Sequence, residues 1–156
     1  MHSDDVEPLE PSHWMRRIRQ LRMWTLGDEA DLERGLRHAF HLVQLTPRPL
    51  RHIIHCTSSE AEFEALLKAR AFEAAVLRLI GNRTPYSVTQ ATDGLNITAE
   101  IRYPDQYDRH SATEPSPALA LFRAWLECHI AIAGTDEPER SARPIKLAQG
   151  ETSTEH

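Results

Sequence analysis

Two pairs of histidines have the spacing in this sequence that comes closest to chemistry. His38 and His41 are three residues apart in a segment that predicts a helix, and His52 and His55, followed by Cys56, repeat that spacing. Residues three or four apart share one helix face, so each pair could offer two ligands to a zinc ion. Because neither pair belongs to a complete zinc-binding pattern, we interpret these side chains as solvated or incidental and expect no cofactor.

A run of arginines near the N-terminus is the second candidate site. Four arginines lie between two tryptophans, and together they could contact phosphates and stack on bases, or bind an acidic partner. The six residues are Trp14, Arg16, Arg17, Arg19, Arg22 and Trp24. The alternative is a solvated helix whose arginines pair with the acids Asp28, Glu29 and Asp31 of the next helix.

The motifs of common enzymes do not occur in the sequence. The six glycines are too scattered for a phosphate-binding loop, and there is no G-x-S-x-G, H-E-x-x-H or C-x-x-C pattern. His129 lies on the apolar face of the last predicted helix, where we expect a core histidine with a hydrogen-bond partner. These features argue against an enzyme.

The composition indicates a chain with a core of ordinary size and an acidic balance. Hydrophobic residues make up 40% of the 156 residues, and the formal net charge is -5, which argues against a general binder of nucleic acid or anionic membranes. The longest apolar run is Ala118–Phe122, far shorter than the roughly 20 residues that span a bilayer. With two cysteines and an acidic N-terminal segment, we expect a cytoplasmic protein with reduced thiols.

Alternating residues over Leu95–Tyr103 predict a half-buried β-strand, because successive side chains of a strand point to opposite faces. Asp93-Gly94 stands just before it and is typical of a tight hairpin turn. The β-prone run Tyr86–Thr92 supplies the partner strand. A third, weaker strand is possible over Tyr107–Thr113.

Four helices are predicted from apolar periodicity and from residues that begin helices. Ser12 is the expected cap of a helix over 13–24, and Asp28 begins a helix over 28–45. Ser59 with Glu62 forms a capping box that begins a helix over Glu60–Ile80. The apolar residues of that helix change face midway, so either it is buried on two sides or it breaks near 69–71, and we favour a continuous helix. Ser116 begins the last helix, over 117–132.

These elements predict an α+β fold in which helices pack on a small antiparallel sheet. We expect a helical hairpin at 12–45, followed by an α+β domain at 50–134. In that domain a helix precedes the β-hairpin, and the possible third strand and the last helix follow it. Residues 1–11 and 135–156 are rich in polar residues and are predicted to be disordered.

The last helix resembles the closing helix of small phage-type ABA-sandwich domains. The similarity is a Pro-Ala-Leu start followed by aliphatic residues and an Arg-Ala pair, and it rests on Ser116-Pro117-Ala118-Leu119-Ala120-Leu121-Phe122-Arg123-Ala124-Trp125-Leu126. It covers about residues 86–132 and implies no catalytic residues. The order of elements also resembles a double-stranded-RNA-binding domain, whose last helix begins with lysines. Because Ser116–Phe122 contains no cation, we do not carry the RNA-binding function over.

We therefore expect a small non-catalytic accessory protein, of bacterial or prophage type, that binds another protein. One alternative is a nucleic-acid-binding protein that uses the Arg16–Arg22 helix, although the acids of the next helix argue against nucleic acid as the partner. The other alternative is a metal-dependent enzyme that uses His38, His41, His52 and His55.

Overall fold

The computed structural model describes residues 7–24, 28–51, 53–54, 56, 58–81, 84–90, 92–103 and 108–133. In chain order the helices and strands are α1 (Pro11–Met23), α2 (Glu29–Gln44), α3 (Glu60–Lys68), α4 (Phe72–Ile80), β1 (Tyr86–Gln90), β2 (Ile97–Ile101), β3 (His110–Glu114) and α5 (Pro117–Ala133). A short 3-10 helix at Arg48–Leu50 follows α2. The strands form one antiparallel sheet in the order β1-β2-β3. The predicted α+β fold is confirmed, and the third strand is present.

Helix α5 is the centre of the molecule. It packs against β2 and β3 on one side and against α1 and α4 on the other. Leu121 and Trp125 on its broad apolar face are fully buried, and so are Ala120 and Ala124 on the opposite face. A helix buried nearly all round belongs between two layers of a core. None of the helices that the structure describes is long and apolar enough to cross a membrane.

The predicted helical hairpin, α1 and α2, shares this core with the rest of the chain. Helix α1 packs on α5, and α2 packs on α3 and α4. The backbone N–H of Leu9 donates to the carbonyl oxygen of Leu45 at the end of α2, over 3.0 Å. Residues 7–10 thus belong to the folded part of the chain, although the sequence predicts disorder there. Residues 1–6 and the predicted disordered tail at 135–156 lie outside the described residues.

Polar side chains begin three helices as the sequence predicts. The Asp28 carboxylate accepts a backbone N–H at the start of α2 over 2.8 Å. Ser59 and Glu62 form the expected capping box of α3, with both hydrogen bonds at 3.1 Å. The Ser116 hydroxyl accepts a backbone N–H of α5 over 3.3 Å. These bonds satisfy donors that the first turn of a helix otherwise leaves unpaired.

The predicted continuous helix over Glu60–Ile80 is wrong, because the chain breaks between α3 and α4. Arg70 adopts a left-handed conformation with φ of 60°. Its N–H donates to Leu67, and the N–H of Ala71 donates to Leu66, over 3.0 and 2.9 Å. These two bonds form a Schellman motif, which ends a helix and redirects the chain. The break lets the two apolar faces seen in the sequence reach one core.

The predicted hairpin of β1 and β2 is confirmed, but its turn is longer than two residues. The last paired residues are Gln90 and Ile97. Between them the Asp93 carboxylate accepts the N–H groups of Leu95 and Asn96, over 2.8 and 3.1 Å. An aspartate that binds the backbone two residues ahead makes its own turn. The residue pair Asp93-Gly94 therefore predicts the position of the turn correctly, but not its length.

Only one face of the sheet is covered by described helices. Ala99 and Ile101 of β2 point to α5 and are 0% and 1% exposed. The other face carries serines and threonines, among them Ser87, Ser111 and Thr113, which are exposed. Helix α5 covers β2 and β3, whereas the residues of β1 are exposed or half-buried.

Candidate interaction surface

Helix α1 carries the residues that the sequence predicts for partner binding. It begins at Pro11, since proline lacks the N–H that a first turn leaves unpaired. The predicted cap, Ser12, is wrong. Glu10 occupies the cap position, and the Ser12 hydroxyl donates to the Glu10 carboxylate over 3.0 Å. The helix therefore starts two residues earlier than the sequence predicts.

The structure corrects the place of Trp14, which the sequence predicts as a partner contact. The indole is 0% exposed, and its Nε1–H donates to the carbonyl oxygen of Leu42 over 2.8 Å. Ile18 and Leu21 continue the same buried stripe of α1. A tryptophan at the spacing of an apolar stripe follows that stripe into the core, since its large area gains most from burial. Trp14 thus joins α1 to α2 and is not part of a surface.

The four arginines of α1 point in different directions. Arg16 and Arg19 lie together on the side that faces away from the core. Arg17 lies toward α2, where its charge acts on His38. Arg22 lies toward α5, and its Nε is 3.2 Å from the Glu127 carboxylate. The predicted basic patch is therefore reduced to two adjacent arginines.

The acids at the start of α2 have other partners than the α1 arginines. Asp31 pairs with Arg34, and Glu29 pairs with Arg70. In the part of the chain that the structure describes, neither Arg16 nor Arg19 forms an ion pair. The expectation that α2 neutralises the basic helix is not met there, and two positive charges face solvent.

A shallow groove of about 390 Å³ runs along this side of α1. Its lining residues follow helical spacing and are Ser12, Met15, Arg16, Arg19, Gln20 and Met23. Met15 is buried and forms the floor, whereas Met23 is 80% exposed. Methionine and arginine are enriched at protein interfaces, and methionine adapts its shape to a partner. We call the exposed members of this set, Ser12, Arg16, Arg19, Gln20 and Met23, the α1 face.

Trp24 lies at the end of α1, beside the α1 face. Its ring packs against the His38 ring of α2 at an interplanar angle of 31°, with 5.2 Å between ring centroids, and it remains 39% exposed. Burial lowers the pKa of His38, and the nearby charge of Arg17 lowers it further. A neutral imidazole therefore supports the indole at neutral pH, and Trp24 keeps an apolar surface available.

Arg123 is a residue of this region that the sequence did not single out. From α5 its guanidinium donates to the carbonyl oxygens of Arg22 and Trp24, over 2.8 and 3.2 Å. Its Nε is 3.8 Å from the Glu114 carboxylate at the end of β3. A cation at a helix C-terminus satisfies unpaired carbonyls and opposes the helix dipole. In the sequence Arg123 looks like the polar side of an amphipathic helix, and nothing there indicates that α1 ends against it.

The candidate metal ligands are only partly described. His41 Nε2 lies 3.4 Å from the Glu60 carboxylate, and the His38 ring packs against the Trp24 ring. Burial raises the pKa of the Cys56 thiol. Among the described residues no three His, Cys, Asp or Glu side chains are grouped so that they could hold a metal ion. His52 and His55 lie outside the described residues.

A buried polar cluster surrounds His129 in the core. Its Nδ1 lies 2.9 Å from the Trp125 carbonyl oxygen and must donate to it, and the rings of Trp125 and Tyr103 are 4.0 and 5.3 Å away. Burial lowers the pKa of His129 to about 3, raises that of Cys128 to about 12, and raises that of Tyr103 well above its ordinary value. All three groups are neutral and inaccessible near pH 7, which suits packing and not proton transfer.

One polar atom of this cluster, His129 Nε2, has no hydrogen-bond partner within the described structure. The sequence predicts a core histidine with a partner, and this is correct for one of its two ring nitrogens.

Comparison of this chain with protein-family models, with curated proteins and with solved structures finds no match. The surface on α1 is therefore interpreted from its own residues.

Proposed function

We propose that this chain is a small non-catalytic accessory protein that binds another protein through the α1 face. The observation that carries the proposal is the juxtaposition of Arg16 and Arg19, which have no described counter-ion, with the exposed Met23 over one groove. An unpaired arginine pair beside an apolar side chain matches an acidic segment that also carries an apolar residue. Trp24 extends the same surface at the end of the helix.

The charge of the chain supports a protein partner over nucleic acid. The formal net charge is -5, and only two arginines of α1 remain side by side on the exposed face. Proteins bind nucleic acid through many phosphate contacts. Each contact makes the affinity fall more steeply as the salt concentration rises. Two arginines on a chain with a net negative charge can make only a few such contacts. A salt-sensitive complex with DNA or RNA would distinguish nucleic-acid binding from the binding of a protein partner.

The bacterial or prophage type and the cytoplasmic location belong to the same proposal. The first is supported by the likeness of Ser116–Leu126 to the last helix of phage-type domains. The second is supported by Cys56 and Cys128, which are both free thiols, as cysteines in a reducing compartment are.

The proposal is tested by reversing the two charges. The tagged full-length chain and its Arg16→Glu/Arg19→Glu variant are used to recover partners from the source cells. We expect one acidic protein with the parent, and a loss of about tenfold or more with the variant, because two attractive contacts become repulsive. The melting temperature should stay nearly unchanged, since exposed charges contribute little to stability.

The matched control is Arg48→Glu/Arg102→Glu, which changes the net charge equally at two exposed arginines that, like Arg16 and Arg19, form no ion pair among the described residues. It should retain the partner. Equal recovery with both double variants would contradict the proposal. A salt-sensitive complex of the parent with DNA or RNA, lost in the α1 variant, would replace it with the nucleic-acid alternative.

A further inference from the structure

Strand β1 is an edge of the sheet, and its register determines which of its backbone groups face outward. Just before β1, the N–H of Arg102 donates to the carbonyl oxygen of Pro85 over 3.3 Å. Hydrogen-bonded pairs alternate along antiparallel strands. The N–H and C=O groups of Tyr86, Val88 and Gln90 therefore point away from β2. No described strand pairs with that outer edge.

The outer edge of β1 lacks the features that keep sheet edges apart. The strand reads Tyr-Ser-Val-Thr-Gln and has no charge, proline or glycine. Natural sheets block their edges with charged residues, prolines or bulges. The other edge of this sheet, β3, ends in the charged residue Glu114. A proline flanks each edge strand, Pro85 before β1 and Pro115 after β3. Pro85 leaves the outer edge of β1 free, because it pairs with Arg102 on the side of β2. The two edges thus differ in charge within the strand, and the β1 edge is the better suited to accept another strand.

Apolar surface accompanies the free edge. Tyr86 and Val88 point to the same side of the sheet as Ile101 and Ala99, which are their partners in β2. Helix α5 covers β2 but extends little over β1, so Tyr86 is 48% exposed and Val88 is only half-buried. A strand added at this edge would cover both side chains.

We propose that β1 pairs with β1 of a second copy of this chain, antiparallel and around a two-fold axis at Val88. In that register Val88 lies opposite Val88 of the other copy, and Tyr86 lies opposite Gln90. Every outward N–H and C=O of the three residues then finds a counterpart, because all three positions become hydrogen-bonded pairs. The two sheets join into one continuous sheet, with both α5 helices on the same side.

The strand fits its own copy better than a different partner. A two-fold interface must be self-complementary, and an uncharged strand places no like charges opposite each other. The same lack of charge gives β1 nothing with which to select an acidic or basic peptide. At the centre of the contact the two Val88 side chains meet, and a Tyr86 ring flanks them on each side.

The paired strands are short, so the dimer should be reversible. Five residues in each strand bury less than the about 1,200 Å² of a stable complex. We therefore expect dissociation in the micromolar range. The inference does not depend on the partner proposed for α1.

Sedimentation velocity of the full chain from about 1 µM to about 200 µM tests the proposal. The parent should change from monomer to dimer over this range. Val88→Pro removes an outward N–H and no bond to β2, so it should remain a monomer throughout, with a melting temperature close to that of the dilute parent. Thr89→Pro is the matched control for this orientation. It removes a bond to β2 and should lower the melting temperature.

A second set of variants tests the register and keeps the proposal falsifiable if the proline variant does not fold. Tyr86→Lys/Gln90→Lys and Tyr86→Glu/Gln90→Glu should each be monomeric, because each places like charges opposite one another. Mixed in equal amounts they should restore the dimer. A parent that stays monomeric at every concentration would overturn the proposal. So would a dimer that survives Val88→Pro, or one that the charge pairs do not disrupt.

Discussion

The guanidinium of Arg123, on α5, donates to the carbonyl oxygen of Arg22 at the end of α1, over 2.8 Å. The same group reaches the carbonyl oxygen of Trp24. The central helix thus holds the end of the helix that carries the proposed binding surface. Because a helix end has unpaired carbonyls, this contact fixes both the last turn of α1 and the direction in which Trp24 leaves it.

Replacing Arg123 with methionine tests this contact. Arg123→Met keeps most of the apolar stem and removes both hydrogen bonds from a charged donor to a helix C-terminus. We expect the free energy of unfolding to fall by about 1 to 2 kcal/mol. Hydrogen exchange of the last turn of α1 should become faster than that of its first turn. An unchanged exchange pattern would show that the end of α1 is held by other contacts.

The position of β2 predicts that Ile101 tolerates no charge. Its side chain is 1% exposed against α5, so Ile101→Asp places a carboxylate in the core. We expect a loss of about 4 kcal/mol or more in the free energy of unfolding, measured by urea titration. Thr113→Asp, on the exposed face of the same sheet, should cost no more than about 1 kcal/mol. Equal losses would place the buried face of the sheet elsewhere.

Buried His129 makes stability depend on pH in a defined direction. Its pKa falls from 6.5 to about 3 on folding because burial disfavours the charged ring. Between these values the unfolded chain binds a proton that the folded chain does not, so stability rises with pH in this window and is lost as pH falls from about 6.5 toward about 3.

Urea titrations at several pH values check this effect in the parent and in His129→Leu. From about pH 6.5 to about pH 4.5 the parent should lose up to about 2.5 kcal/mol more than the variant, since one pKa unit corresponds to about 1.4 kcal/mol. The same pH dependence in both proteins would mean that the ring is protonated in the folded state.

Regular elements with local signals were predictable from the sequence. The caps Asp28 and Ser116 and the box of Ser59 with Glu62 reflect hydrogen bonds between residues a few positions apart. The alternation in β2 reflects successive side chains that point to opposite faces of the sheet. Such signals depend only on neighbouring residues and can be recognised in a short stretch of sequence. The burial of α5 on both sides was not predicted, because it depends on α1 packing from far away in the chain.

The break after α3 shows how a local signal can fail. A helix commonly ends with glycine in the left-handed position, but here that position holds Arg70 with φ of 60°. An L-residue pays about 1 to 2 kcal/mol for this conformation, so the sequence gives no indication of it. The change of apolar face near 69–71 was the only trace.

Arg70→Gly should therefore raise the free energy of unfolding. We expect a gain of at most about 1 kcal/mol, because glycine is freer in the unfolded chain and the exposed ion pair with Glu29 is lost. The neighbouring Ala69 has an ordinary φ of -81°, and Ala69→Gly should instead lower stability by about 0.5 to 1 kcal/mol. Thermal unfolding of both variants measures the contrast. A loss of stability in both would mean that the left-handed position carries little strain.

The proposed α1 face was predictable only in part. The sequence identified the arginines of α1, but their different directions depend on the neighbouring helices. Arg22 pairs with Glu127 of α5, and Arg17 lies toward His38 of α2. Trp14 was assigned to the surface because it adjoins the basic run, whereas its helical position sends it into the core. Only the structure shows that Arg16, Arg19 and Met23 share one exposed side of α1.

The most direct test of the α1 face is photocrosslinking in the source cells. A photoreactive amino acid is placed at Met23 or, in a matched variant, at Leu95, because both side chains are 80% exposed and lie on different surfaces. We expect a crosslink from position 23 to one protein other than this chain, and no such product from position 95. Crosslinks from position 23 to nucleic acid alone, or the same protein captured equally from both positions, would contradict the account.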